Sequence, residues 1–271
     1  KGFIMSKIEN YLHGTFCWSE LCSHNWKEGK AFYTSLFNWG YDDQPIGENL
    51  YYTMLQKQGD DIAAMYEMDQ EQVTAGVPSY WLAYITVDNV DECALKAQSL
   101  GAEIIAGPHD VMDAGRILMI KDPGGATVAL WQGNAHKGCK RVEELNTPYW
   151  YEMATRDTKV SKDFYCSLLG WQSETKPMDN MQYTLFLVNG KPIAGMLEMT
   201  KEWPADIPAH WMIYFAVENC DTAIKKAVEL GGQVCVPATD VPDVGRFSVI
   251  CDPQGAVFSV IQPDMLSSSL A

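Results

Sequence analysis

Trp18-Ser19-Glu20-Leu21, followed by Phe32-Tyr33-x-Ser35-Leu36-x-x-Trp39, returns as Trp150-Tyr151-Glu152-Met153 and Phe164-Tyr165-x-Ser167-Leu168-x-x-Trp171, with each position displaced by 132 residues. A match this long at constant offset marks an internal repeat, and a repeat decides the architecture before any single element does. Further along, Ile62-Ala-Ala-Met-Tyr-Glu67-Met pairs with Ile193-Ala-Gly-Met-Leu-Glu198-Met at an offset of 131. Trp81 to Gln132 then aligns without a gap to Trp211 to Gln262 at an offset of 130. That stretch carries Asp113-x-Gly115-Arg116 with Asp243-x-Gly245-Arg246, and Asp122-Pro-Gly-Gly-Ala with Asp252-Pro-Gln-Gly-Ala. The chain reads as two homologous halves, residues 12–133 and 146–264, joined by a polar linker, residues 134–145.

Each half has a finer rhythm. Residues 14–22 read as a strand, and Asn25-x-x-Glu28 is a capping box for a helix that places Phe32, Leu36 and Trp39 on one apolar face. Three short segments follow, at 41–45, 50–57 and 62–68, with Gly59 in a turn; their length and punctuation predict strands. The same order restarts at 80–87, with a helix over 90–100 stopped by Gly101 and strands at 102–106, 115–121 and 125–131. The order βαβββ thus occurs twice per half and four times in the chain. Asp-Pro-x-Gly falls between the last two strands of each half, where Pro presets the turn and Gly accepts positive φ.

Composition bounds the function. The chain has 271 residues, 20 Lys+Arg against 35 Asp+Glu, and a formal charge of −15. With no basic cluster beyond Lys137, Lys140 and Arg141, a phosphate-tracking surface is excluded, and no nucleic-acid partner is expected. No run approaches the ~20 apolar residues of a membrane helix, and no export signal is evident, so a cytoplasmic protein without a membrane partner is expected. Met5 reads as a natural start preceded by a foreign leader, Lys1 to Ile4. The eight cysteines form no C-x-x-C pair, and Cys17 and Cys22 fall on opposite faces of a strand, which predicts buried free thiols. There is no phosphate-cradling G-x-x-x-x-G-K-[ST] and no G-x-S-x-G nucleophile elbow.

Paired βαβββ modules, Phe-Tyr with Leu-x-x-Trp, and Asp-Pro-x-Gly before the last strand resemble the glyoxalase/bleomycin-resistance/extradiol-dioxygenase family, the vicinal oxygen chelate superfamily. The duplicated W-x-E motif is similar to a branch of tandem glyoxalase-like proteins that includes mycobacterial antigens. The resemblance covers nearly the whole chain and implies an α+β fold: two tandem domains, each of two modules whose sheets curl into a cup that holds the ligand or metal. It also implies pseudo-twofold pairing within the chain, an intramolecular pseudo-dimer, with a homodimer as a further option.

Metal-using members of the family draw ligands from the first and last strands of each module. The resemblance puts those positions at Trp18 and Trp150, Leu82 and Met212, and Ala129 and Ser259, none of which binds a metal strongly. Glu67 and Glu198 fall near a further ligand position, and His210 could join Glu152 and Glu198, so these three are the weak metal candidates. No histidine is duplicated between the halves: His24 aligns with Arg156, His109 with Thr239 and His210 with Tyr80. The expected state is a cup without a tightly bound metal cofactor, the alternative a bound Zn, Ni, Fe or Mn.

Glu20 and Glu152 stand two residues beyond the tryptophans, on the same strand face. They read either as polar anchors or proton-moving catalytic groups, or as structural ion pairs with Arg116 or Arg246. Trp18, Trp81, Trp131, Trp150 and Trp211 suit the aromatic wall of a small-molecule pocket, or else core packing. Arg116 and Arg246 read as ligand contacts or as turn and salt-bridge residues. The leading expectation is a protein that holds a small organic molecule, by analogy with bleomycin-resistance relatives. A metal-dependent glyoxalase-like lyase or isomerase, or less readily a dioxygenase, is the enzyme alternative, and an assembly or interaction protein is the third.

Overall fold

A computed structural model describes residues 7–178 and 181–264, so the leader assigned to Lys1 to Ile4 lies outside the described residues. The first half runs β1 (Phe16–Ser23), α1 (Trp26–Phe37), β2 (Gly40–Gly47), β3 (Leu50–Lys57), β4 (Asp60–Glu67), α2 (Gln70–Thr74), β5 (Tyr80–Thr86), α3 (Val90–Ser99), β6 (Glu103–Val111), β7 (Gly115–Lys121) and β8 (Thr127–Gly133). The second runs β9 (Pro148–Thr155), α4 (Thr158–Leu169), β10 (Gln172–Met178), β11 (Met181–Val188), β12 (Lys191–Glu198), β13 (His210–Ala216), α5 (Cys220–Glu229), β14 (Gln233–Val241), β15 (Gly245–Cys251) and β16 (Val257–Pro263).

Each half is one eight-stranded sheet, ordered β2-β3-β4-β1-β5-β8-β7-β6 and β10-β11-β12-β9-β13-β16-β15-β14. Within a module the first and last strands pair in parallel. The two modules of a half join through antiparallel pairing of their first strands, β1 with β5 and β9 with β13. The α+β fold of four βαβββ modules is therefore present in tandem.

Local chemistry sets the helices. The Asn25 side chain accepts from the Glu28 amide, and Asp157, Asn89 and Asn219 cap the other three long helices in the same manner. Gly101 and Gly231 stand just past α3 and α5 at φ 92° and 93°, the left-handed conformation that lets the chain turn back into a strand. α1 ends at Phe37, with Asn38 as a left-handed cap, so Trp39 lies beyond the helix rather than on its last turn; it is nevertheless buried. The short helix α2 lay outside the predicted pattern, because its five residues bury none of their number and leave no apolar period.

Strand alternation divides each sheet into two faces. One carries Leu21, Met65, Ile85, Leu118, Val128 and their counterparts, and it packs with the helices of both halves into a single continuous core. The halves exchange reciprocal contacts across this core. Tyr33 on α1 donates to Asp252 at 2.9 Å, and Tyr165 on α4 donates to Asp122 at 2.8 Å. Within each half, Trp81 donates its indole N–H to Tyr33, and Trp211 does the same to Tyr165, both at 2.9 Å. Trp39 reaches the carbonyl of Asn146 and Trp171 that of Gly14, each at 2.7 Å. Lys96 caps the end of α4 at the Leu168 carbonyl, and Lys226 caps the end of α1 at that of Leu36, both at 3.2 Å. Ser19 and Tyr151, equivalent positions in the repeat, meet at 2.9 Å. The duplicated Phe-Tyr and Asp-Pro motifs thus serve one another across the boundary between halves.

The segment joining the halves is part of the structure rather than a loose tether. Cys139 is fully buried, its amide donates to the Cys17 carbonyl at 2.8 Å, and its thiol meets the Ile62 carbonyl. Arg141 pairs with Asp60 at 2.7 Å and Lys57 with Glu144 at 2.9 Å. Cys17, Cys22, Cys93, Cys139 and Cys220 are buried free thiols, as expected; Cys166 and Cys251 are half-buried and Cys235 is exposed, because β14 is an edge strand. Among the described residues no helix is long and apolar enough to cross a membrane.

Candidate functional site

The sheet face turned away from the helices is the cup face, and register assigns its residues. β9 offers Trp150, Glu152 and Ala154, which lie opposite Tyr214, Met212 and His210 of β13. Gly195 and Leu197 of β12 pair with Glu152 and Ala154, and Ser259 of β16 pairs with Tyr214. In the first half the same logic assembles Trp18, Glu20, Leu82, Tyr84, Ala64 and Ala129.

At the floor of each cup one carboxyl group is held by two tyrosines. Tyr52 donates to Glu20 Oε2 at 2.8 Å and Tyr84 donates to the same oxygen at 3.0 Å, while Trp18 Nε1 donates to the Tyr52 hydroxyl at 3.3 Å. In the second half Tyr183 donates to Glu152 Oε2 at 2.6 Å, Tyr214 donates to Oε1 at 2.7 Å, and Trp150 Nε1 donates to Tyr183 at 3.2 Å. Burial pushes both carboxyls above the ordinary range, and the two hydroxyl donors pull them part of the way back. Gly195 is needed for this arrangement, since a Cβ there would run into the Tyr183 hydroxyl. These four tyrosines did not emerge from sequence reasoning, although Tyr52 with Tyr183 and Tyr84 with Tyr214 are duplicated at the repeat offsets and so carried the signal.

The ion pairs considered for Glu20 and Glu152 are replaced by these hydroxyl bonds. Arg116 and Arg246 lie on the helix face, where Arg116 binds Asp91 and Asp110 and Arg246 binds Asp221 and Asp240. Alternation turns them away from the cup, so the structure places them as links between sheet and helix. Trp81 and Trp211 also sit on the helix face, in the core beside Tyr33 and Tyr165. Trp18, Trp131 and Trp150 remain on the cup face. Glu67 and Glu198 pair with Ser23 and Thr155, on the opposite face from Glu20 and Glu152, and are exposed. They cannot join those carboxyls in a ligand set.

His210 does lie on the cup wall, diagonal to Glu152 on the neighbouring strand. It donates Nδ1–H to the Pro208 carbonyl at 2.9 Å, and burial pushes its pKa down. Among the described residues no group of three or more His, Cys, Asp or Glu side chains is placed to hold a metal ion. Trp, Leu, Ala, Met and Ser at the family's ligand positions do not supply the donors that Zn, Ni, Fe or Mn would need there.

The two cups differ in what covers them. In the first half Trp18, Leu82, Tyr84, Ile117, Ala129, Trp131 and Cys139 form a closed cluster. His136 stands edge-on to Trp18 with centroids 4.4 Å apart, its carbonyl accepts from Trp131 Nε1, and Tyr11 donates to the Cys139 carbonyl. Trp18 is 2% exposed and Leu82 3%. Their counterparts Trp150 and Met212, together with Leu185, Leu197, Phe247 and Val249, are all half-buried.

A tandem pair of eight-stranded βαβββ sheets with the site on their cup faces defines a class, and comparison agrees: the chain belongs to the Glyoxalase/Bleomycin resistance protein/Dioxygenase superfamily, whose model matches residues 19–130 and 138–260. It is 38% identical over 261 residues to "Putative glyoxylase CFP32" of Mycobacterium tuberculosis, covering 96% of this chain and 98% of that one. It is 29% identical over 268 residues to "Anthracycline biosynthesis protein DnrV" of Streptomyces peucetius, covering 94% and 95%. Among solved structures, the Mn(II)-bound glyoxalase from Novosphingobium aromaticivorans superposes with a TM-score of 0.63 at 14% identity, covering 95% of this chain and 83% of that one. An extradiol ring-cleaving dioxygenase from B. fuscum gives 0.64 at 14% identity, covering 96% and 74%. These structural likenesses concern the fold.

Proposed function

We propose that this protein binds a small organic molecule on a cup face whose floor is the Trp–Tyr–Glu–Tyr network, without relying on a metal at the family's ligand positions. The observation that carries the reading is the pair of tyrosine hydroxyls that hold each glutamate: a carboxyl group accepting two hydrogen bonds is a fixed polar anchor with acceptor capacity left over, set among aromatic and aliphatic walls. A relative named for anthracycline biosynthesis supports an aromatic ligand. Glu152, Trp150, Tyr183 and Tyr214 are the binding residues in this reading.

The diagonal placement of Glu152 and His210 favours a second reading, in which the same cup catalyses a proton transfer on its ligand, and relatives named as glyoxylases point the same way. A thermal-shift screen of metabolites and aromatic antibiotics, run beside metal analysis of the purified protein, tests the first reading. A ligand at 100 times its Kd is expected to add about 2.7 kcal/mol. One equivalent of Zn, Ni, Fe or Mn per half, lost in Glu20→Gln and Glu152→Gln, would overturn it. Solvent deuterium entering a bound ligand, and failing to enter in Glu152→Gln, would establish the second.

A further inference from the structure

The two halves share one network and differ in access to it. In the first half the chain's own linker crosses the cup: Cys139 is hydrogen-bonded to the β1 and β4 backbones, and Gly138 lies so close to Cys17 that no Cβ fits between them. Larger side chains fill the remaining space, with Tyr66, Trp131 and Ala64 standing where the second half has Leu197, Ile261 and Gly195. The second cup keeps half-buried apolar walls around Glu152.

The charge of the second cup is equally specific. Glu152 presents its carboxyl oxygens, with the His210 ring diagonal to it on the next strand. The cation on this face among the described residues is Lys176, at the outer edge on β10, and it is paired with Glu174 at 3.2 Å. Arg246 is on the far face with two aspartates, and Arg156 is bound to the Pro204 and Ile207 carbonyls. An anionic ligand would meet the Glu152 carboxyl group while the Lys176 charge is paired with Glu174 and Arg156 is held by backbone carbonyls, whereas a donor would find the carboxyl oxygens in an apolar setting.

Resting on the cup-binding reading above, we propose that this chain takes one ligand, in the second-half cup, and selects an uncharged or cationic aromatic molecule that carries an O–H or N–H donor. The first-half cup is an internal scaffold, permanently occupied by residues 136–139.

Isothermal titration of the full chain with 2-naphthol, 2-naphthylmethylamine and 2-naphthoate tests both parts. The first two are expected to bind with one site per chain, and the carboxylate at least tenfold more weakly. Met212→Trp and Leu185→Trp, each filling the second cup from a half-buried position, are expected to weaken 2-naphthol at least tenfold while keeping the wild-type circular dichroism and melting temperature. Two sites per chain overturn the single-cup assignment but leave the cup reading intact. Equal or tighter binding of 2-naphthoate overturns the charge selection, and unchanged affinity in both tryptophan variants overturns the location. Failure of all three probes to bind at millimolar concentration would remove the cup reading itself.

Discussion

Replacing Tyr165 with Phe removes one hydroxyl from the interior and takes a bonding partner from a carboxyl group and an indole. The hydroxyl donates to Asp122 at 2.8 Å and accepts from Trp211 Nε1 at 2.9 Å, so Tyr165→Phe leaves a buried carboxyl and a buried indole N–H each short of one bond. The tyrosine is fully buried and Asp122 is 3% exposed, so water does not take its place. A hydrogen bond to a charged group contributes about 1.5–3 kcal/mol, and an unsatisfied buried partner costs about 1–3 kcal/mol. Asp122 keeps the Ala126 amide at 3.0 Å, which limits the damage, and a loss of about 3–4 kcal/mol at pH 7 is expected. At about 2–4 °C per kcal/mol for a chain of this size, melting should fall by about 6–16 °C.

The loss should depend on pH in a definite direction. Burial raises the Asp122 carboxyl above its ordinary value and the Tyr165 hydroxyl lowers it again, so removing the hydroxyl raises it further. A carboxyl whose folded pKa exceeds its unfolded one binds its proton more tightly when folded. Its contribution is favourable below the unfolded pKa and is lost as pH rises through the folded one. The Tyr165→Phe penalty is therefore expected to be smaller at pH 5 than at pH 7. Urea unfolding followed by circular dichroism at both pH values measures it, and Tyr33→Phe provides the repeat-related duplicate. A penalty under 1 kcal/mol at pH 7 in both variants, or one that grows on acidification, would refute the proposed lock.

Gly195→Ala should push Tyr183 away from Glu152 and cost about 1–3 kcal/mol by overpacking, with a matching loss of cup binding; unchanged stability and affinity in titration would remove Tyr183 from the floor. Gly138→Ala, at φ 132° with its Cβ against the Cys17 carbonyl, should lower melting temperature by several degrees without altering affinity for 2-naphthol; weakened binding would connect the first cup to the ligand.

Much of the fold was legible because duplication let each weak local signal be read twice. The caps at Asn25 and Asp157 and the turns at Asp122-Pro and Asp252-Pro align, and the strands between them fall into place. Trp39 shows the limit of that reading: its apolar character predicted burial correctly, but its helix ends two residues earlier and its indole serves the other half. The site was legible in its carboxylates and not in their partners. Glu20 and Glu152 stood out by spacing, whereas Tyr52, Tyr84, Tyr183 and Tyr214 reach them through strand pairing between residues 31–64 apart in sequence. Trp81 and Trp211 were candidates for the cup wall because residue type does not specify a sheet face; register does, and it sent them to the core. The closing of one cup depends on where a polar linker lies down, which no local pattern encodes.

The reciprocal exchange between halves also has a temporal side. Tyr33 and Asp252 are 219 residues apart, so during translation at about 5–20 residues per second α1 emerges roughly 10–45 s before its acceptor. For that interval the nascent N-terminal portion lacks the Phe258 ring that packs against Phe32, Tyr33 and Phe37. Ribosome-bound chains should accordingly recruit chaperones until the final module is released.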